Sequence, residues 1–467
     1  MRLGLLIILT ALVACSRPQA PQTLPATSTL GTYGTNRWVR ITTHFHTPYS
    51  FDACDGAGTA NAAPGGALNT ICLGHLRTAL CRNRIDIAFT SDHPANFVNY
   101  AIKDLVLNQS GDTLVNGSNG PYYNKLGDCD GGSFTPIVSA GFESNMSGIG
   151  LNQQLNGSTD PTTLTGLVNG NDAATAALIR SSSAGVVIIP HTENKALSTL
   201  QTIAPDAIEV YNLHANLDPK IRKANLGVPP YLSIGNMVNY VLDPYADLVP
   251  DFAFVTFIQQ FSNYTLMWDQ LISGGLKVTG VAAVDSHENV LNLPLADGER
   301  FDSYRRTSKI ASNWVAAPSV DIDQVKTGIT NGKVLMVYEG FGTPMGFDFS
   351  ATLGGTTVRM GSDGASQLTL GGGTATIQVS LPTINTSLVQ GVTAPKIRIV
   401  LKQVSGSSDV IVAQSTGASL SAPVTIAGAY RAEVYITPYH LREYLGSFKS
   451  YAESEFLWIA TNHIYIN

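Results

Sequence analysis

"RWVRITTHFHTPYSFDAC", residues 37–54, carries an alternating apolar run into His44 and His46, with Ser50 and Asp52 just beyond. Alternate side chains of a strand point to one face. A strand over "WVRITTHFH" would therefore turn both imidazoles to the same side, where they can grip one metal ion. A polar strand face carries such pairs too, so the neighbouring sequence has to decide.

The neighbouring sequence repeats the theme. "IDIAFTSDH" ends in Asp92 and His93, "TPIVSAGFE" in Glu143, and "AGVVIIPH" in His191. "DAIEVYNLH" carries Glu209, Asn212 and His214, and "VTGVAAVDSH" ends in Asp285 and His287. Near-continuous apolar runs suit strands buried on both faces, as in parallel sheets. Helical stretches lie between them, such as "LNTICLGHLRTALCRNR", "AATAALIRSSS" and "FVTFIQQFSNYTLMWDQLISGG". Alternating strands and helices predict an α/β barrel or layered sheet, with active groups at the carboxyl ends of the strands. Beyond residue 340 the chain turns Gly-, Thr- and Ser-rich with short alternating runs, which predicts an antiparallel β-sandwich over 341–467.

Composition narrows the class. The chain has 467 residues, is 44% hydrophobic and 13% charged, and has a net charge of −6. That length suits two domains, and the charge leaves no basic footprint for nucleic acid. "MRLGLLIILTALVAC" reads as a secretory signal too short to span a bilayer. Its Leu12-Val13-Ala14-Cys15 ending resembles a bacterial lipobox, which implies lipidation of Cys15. Ser16 after it implies the periplasmic face of the outer membrane. Residues 16–36 read as a flexible tether. An exported chain with four further cysteines is expected to form two disulfides. A helix between Cys72 and Cys81 would hold them about 13 Å apart, beyond disulfide reach. Cys54 and Cys72 would lie at one end of that helix and Cys81 and Cys129 at the other, giving the expected pairing.

His44, His46, His93, His191, His214 and His287, with Asp52, Glu143 and Asp285, form a candidate ligand set too large for one ion. Imidazole and carboxylate together suit Zn, Mn or Fe better than Ca, and a cluster of two or three such ions suits hydrolysis. Asp92 and Asn212 are expected just behind the ligands, with Asp92 orienting His93. Ser50 is expected to hydrogen-bond within the first loop, and Glu209 to serve as an internal partner or site residue. Lys195, Arg300, Arg305 and Arg306 are candidate phosphate contacts. His75, His440 and His463 read as structural.

In "HFHTPYSFD", "IDIAFTSDH", "GFE", "VVIIPH", "DAIEVYN" and "AVDSH", taken in order, residues 37–340 resemble the PHP (polymerase and histidinol phosphatase) superfamily of metal-dependent phosphoesterases. The resemblance implies a distorted (β/α)7 TIM-like barrel with a trinuclear site. It would place His44, His46, Glu143 and Asp285 on one ion, Asp52, His93 and His287 on another, and Glu143 and His191 on a third. Glu143, Asp285 and His287 would stand at the catalytic centre. Residues 144–190 lack the further histidine that members often carry after the glutamate. Either His214 replaces it or the third site is weak. The expected function is hydrolysis of small phosphomonoesters or phosphodiesters through a metal-activated water. The alternatives are a metal-dependent hydrolase of an amide or lactone, and a non-catalytic binding lipoprotein with a vestigial barrel.

Overall fold

The computed structural model describes residues 23–59, 66–127, 129–227, 248–258, 262–385, 393–417 and 419–467, with 229, 234, 237 and 238 between. The signal sequence, Cys15 and the first part of the expected tether lie outside the described residues.

The fold is mixed α/β with several sheets. Strand β1 (Asn36–Thr42) pairs in parallel with β2 (Ile87–Phe89), and β2 with β3 (Ile137–Ser139). A second sheet holds β4 (Gly141–Glu143), β5 (Ser147–Ile149), β6 (Val186–Ile189), β7 (Ala207–Asn212) and β8 (Thr279–Ala283). Within it β6, β7 and β8 are parallel, while β4 and β5 form an antiparallel hairpin against β6. On the other flank of β1 come β9 (Ser312–Ala317) and then β10 (Val334–Val337), both antiparallel. Side chains at i and i+2 of these strands, among them Val39/Ile41, Ile87/Phe89 and Val186/Ile188, meet in one buried cluster shared by both sheets. Alternation along each strand is what sends them all inward.

Helices fill the connections. Helix α1 (Thr70–Arg82) links β1 to β2, is capped by Asn69 accepting from Cys72 N, and buries Leu73, Leu76 and Leu80. Helix α2 (Ala173–Ser183) leads into β6 and α3 (Leu197–Ile203) joins β6 to β7. Helix α4 (Ser262–Ser273) leads into β8. The disulfides are Cys54–Cys72 and Cys81–Cys129, one at each end of α1.

Three expectations are corrected. The sheet does not close into a barrel among the described residues: the strands form two sheets, and buried carboxamides join β8 to β9 and β10. Asn313 accepts from Ala282 N (2.8 Å) and donates to Ala282 O (2.7 Å), copying a ladder pair. Asn462 does the same for Gly280 and also donates to Val334 O. Residues 341–467 hold antiparallel sheets, as expected, but not as a separate unit. A four-stranded antiparallel sheet contains Phe349–Leu353 and Ala375–Ser380, but Phe456–Thr461 pairs with β10, so one ladder crosses residue 340. Residues 23–36 are packed rather than free: Thr27 Oγ1 donates to Asp86, and buried Tyr33 donates to Phe349 O (2.7 Å).

Asn313→Ala removes both rungs and leaves a buried amide and carbonyl of Ala282 unpaired. At about 1–3 kcal/mol per orphaned group, denaturant unfolding is expected to show a loss of about 2–4 kcal/mol. A loss under about 0.5 kcal/mol would mean that β8 and β9 are joined without Asn313.

Buried His440 donates from Nε2 to Phe341 O (2.9 Å), and burial pushes its pKa down to about 4. The unfolded chain takes up this proton near pH 6.5, the folded chain only near 4. The stability is therefore complete above pH 6.5 and is lost as pH falls toward 4, by up to about 3 kcal/mol. His440→Gln, which keeps a donor but no titration, is expected to show a shallower fall in melting temperature from pH 7 to 4.5 than the wild-type chain.

Candidate metal centre

The ligand-bearing segments start where the strands end. β1 stops at Thr42, two residues before His44. Phe45 then makes a single parallel bridge to Ser286, with Asp285 N donating to His44 O (3.2 Å) and His46 N to Ser286 O (3.1 Å). This bridge holds the first loop against the segment after β8. Gly141 brings the Glu143 strand in close, because a Cβ there would lie 2.4 Å from Thr90 O. His191 (φ 49°) and Asp285 (φ 51°) take left-handed backbone conformations, a local cost of order 1–3 kcal/mol that clusters at functional sites.

All nine predicted ligands converge. Their donor atoms fall into four overlapping sets close enough to share an ion: His46, Asp52, His93 and His287; His44, His46 and Asp285; His44, Glu143 and His191; and His214, Asp285 and His287. Glu143 reaches His44 and His46 through Oε2 (both 3.4 Å) and His191 through Oε1 (3.3 Å). Asp285 Oδ1 has the Nε2 atoms of His44, His46 and His287 at 3.2, 3.3 and 3.3 Å. His214 shares its set with Asp285 and His287.

The outer ring nitrogens are held. His44 Nδ1 lies 2.6 Å from Glu209 Oε1, His46 Nδ1 3.0 Å from Ser50 Oγ, His191 Nδ1 3.0 Å from Glu193 Oε1, and His287 Nδ1 2.8 Å from Asp285 O. In the three with an obligate acceptor, His44, His191 and His287, Nδ1 must donate, which leaves Nε2 as a lone pair aimed inward. Such pairing fixes the tautomer and raises ligand basicity. Glu209 is itself held by Asn212 Nδ2 (3.0 Å) and accepts from His191 N (2.9 Å). Glu193 receives Tyr264 Oη (3.0 Å). Glu193 was missed in the sequence, although it stands two residues after His191.

The set fits a cation better than it fits itself. The Nε2 atoms of His44 and His46 face each other at 3.2 Å, and buried Asp285 Oδ1 has no hydrogen-bond partner. Burial would raise Glu143 and Asp285, but the surrounding imidazoles, His44 foremost, hold both well below the usual carboxylate range. Burial would lower His44 and His191, but Asp285, Glu143 and the outer glutamates push both well up. A divalent ion supplies the same positive charge without those protons.

Other expectations move. Asp92 does not orient His93. It accepts from Thr47 N (2.7 Å) and Thr47 Oγ1 (2.8 Å), securing the turn after His46, and burial pushes its pKa up to about 7. Arg300 is spent on Asp55 and Asp302, Arg305 on Asp251 and Glu299, and Arg306 on Asp251 and Asp297. Buried carboxylates outcompete any surface role for these guanidinium groups. Lys195 makes no ion pair among the described residues. Burial lowers its pKa against the pull of Glu143, Glu193 and Glu209. His75 pairs with Glu288 (3.0 Å).

No family model and no curated protein matches the chain. Two solved structures are similar. PsfC from Pseudomonas syringae PB-5123 shares 10% identity over 62% of this chain and 87% of its own, at a TM-score of 0.32. A two-domain protein containing a predicted PHP-like metal-dependent phosphoesterase, from Bacteroides vulgatus ATCC 8482, shares 8% identity over 95% and 99%, at 0.33. Both likenesses are slight, and the chemistry of the site stands on its own atoms.

Glu209→Gln weakens the grip on His44 Nδ1 while conserving shape. Apparent metal affinity, measured by competition with a chromophoric chelator, is expected to fall about 10- to 100-fold. An unchanged affinity would show that His44 is oriented without the carboxylate.

Proposed function

We propose that this chain is a metal-dependent phosphoesterase of the PHP type, hydrolysing small phosphomonoesters or phosphodiesters. The observation that carries the reading is the convergence of inward Nε2 atoms on Glu143 and Asp285, with the outer nitrogens held. Two or three divalent ions, Zn, Mn or Fe, suit these donors. His44, His46, Glu143 and Asp285 would hold one ion, Asp52, His93 and His287 another, and His191 with Glu143 a third, with His214 as an added ligand beside Asp285 and His287. When bound, such ions lower the pKa of a water to make a nucleophile and stabilise charge on the substrate oxygens. The residues contribute position: Glu209, Asn212 and Glu193 keep the imidazoles aimed, and Asp92 fixes the turn after His46. Lys195, which makes no ion pair among the described residues, would be a cation for a phosphoryl oxygen.

A second reading is favoured by one observation. Arg300 and Arg305 are committed to carboxylates, so the site has fewer free cations than phosphate recognition usually recruits. A metal-activated water attacks an amide or lactone as well. The two disulfides agree with an oxidising compartment. We place the protein at the periplasmic face of the outer membrane, anchored through Cys15.

His44→Ala and His191→Ala are each expected to lose metal by elemental analysis and to lower hydrolysis of p-nitrophenyl phosphate or bis-p-nitrophenyl phosphate at least about a hundredfold. The circular dichroism spectrum should be kept. Undiminished hydrolysis in either variant would sink the assignment, and metal uptake with no phosphate release by the wild-type chain would select the second reading.

A further inference from the structure

One face of α1 touches two ligand-bearing segments at once. Cys72 and His75 are three residues apart and so share that face. Cys72 is bonded to Cys54, two residues after Asp52. His75 Nδ1 donates to Glu288 Oε2 (3.0 Å), and Glu288 directly follows His287. The two segments are also joined to each other, since Cys54 N donates to His287 O (2.8 Å) and Asp55 N to Glu288 O (2.9 Å). Cys54 (φ 57°), Asp55 (φ 57°) and Glu288 (φ 53°) all sit in the left-handed region. Three non-glycine residues stay there only where surrounding contacts over-determine them. Among the described residues the oxygens of Asp52 itself meet Ser50 Oγ (2.9 Å), His93 (3.1 Å) and His287 (3.3 Å), and no such restraint.

We propose that Cys72 and His75 are positioning residues: through Cys54 and Glu288, α1 holds Asp52 and His287 at the spacing that the His46–Asp52–His93–His287 set needs for its ion. This rests on the metal reading above and extends it by assigning one subsite to a buttress that lies outside the ligand shell. The His44–Glu143–His191 set draws its restraint from Glu209 and Glu193, which hold His44 and His191 without passing through α1. The second disulfide, Cys81–Cys129, sits at the far end of the same helix and serves as an internal control.

The test uses the full chain, stripped of metal and reloaded with zinc or manganese, with bound equivalents counted after gel filtration. Cys54→Ala/Cys72→Ala and His75→Ala are expected to bind one equivalent fewer than the wild-type chain. His75→Gln, whose amide can still donate to Glu288, is expected to restore it. Cys81→Ala/Cys129→Ala is expected to keep the full count while melting lower. Full loading in both α1-face variants, or an equal loss in the far-end control, would overturn the proposal. If the double cysteine variant fails to fold, the pair His75→Ala and His75→Gln decides alone. A wild-type chain that takes up no metal would overturn the metal reading itself, and this proposal with it.

Discussion

Two buried carboxylates, Glu143 and Asp285, set the terms for the structure around them. Unpaired, each would cost several kcal/mol in a low-dielectric interior. Five imidazoles, those of His44, His46, His93, His191 and His287, reach one or both of them within 3.4 Å. These rings come from three strand ends, those of β1, β2 and β6, and from the turn after β8, so the charge balance can be met only when both sheets are in place. The outer partners Glu209 and Glu193 then add negative charge behind the rings. The assembly holds more carboxylate than its own protons comfortably match, which is the electrostatic condition for taking up cations.

The division into two sheets serves this geometry. In a closed ladder every inter-strand approach is fixed by backbone bonds. Here β8 meets β9 through the side chain of Asn313 and β10 through that of Asn462, and β4 turns back into a hairpin. The carboxamides satisfy the β8 edge while letting the strands separate by the length of a side chain. Asn462 comes from the short link between Phe456–Thr461 and Ile464–Ile466, two strands of the sheet that crosses residue 340, so the C-terminal half supplies a structural part of the N-terminal one. That shared ladder explains why a change in composition near residue 340 does not mark a break in the fold.

Much of the centre was legible in the sequence because strand ends there carry metal-capable residues, a signal that period and position both expose. His44, His46, Asp52, His93, Glu143, His191, His214, Asp285 and His287 are read this way, and the structure brings their donor atoms together. Contacts that depend on three-dimensional approach were not legible. Glu193 looks like any loop glutamate until Nδ1 of His191 is seen beside it. Asp92 looked like the partner of its neighbour His93, yet consecutive side chains on extended backbone point apart, and its carboxylate serves Thr47 across the loop. Arg300 and Arg305 looked available because a linear sequence does not show which acid lies opposite. The side-chain join at β8 was hidden for the same reason: Asn313 and Asn462 read as ordinary strand and turn residues.

A second acidic group in the same chain shows why carboxylate proximity alone does not make a metal site. Asp251, Asp297 and Glu299 also lie close enough to share an ion. Their oxygens are already met by Arg305, Arg306 and Lys309, with Lys309 Nζ at 2.7 Å and Arg306 Nη1 at 2.9 Å from Asp251. Asp251 is held far below its usual range by Lys309, Arg305 and Arg306 in spite of burial. At the centre the counter-charges are imidazoles, which can give up their protons to an incoming cation and then offer a lone pair in the same place. A guanidinium or ammonium cannot make that exchange at neutral pH. The difference between a structural ion-pair knot and a metal centre therefore lies in the base that faces the acids, and in whether something behind that base keeps it turned inward.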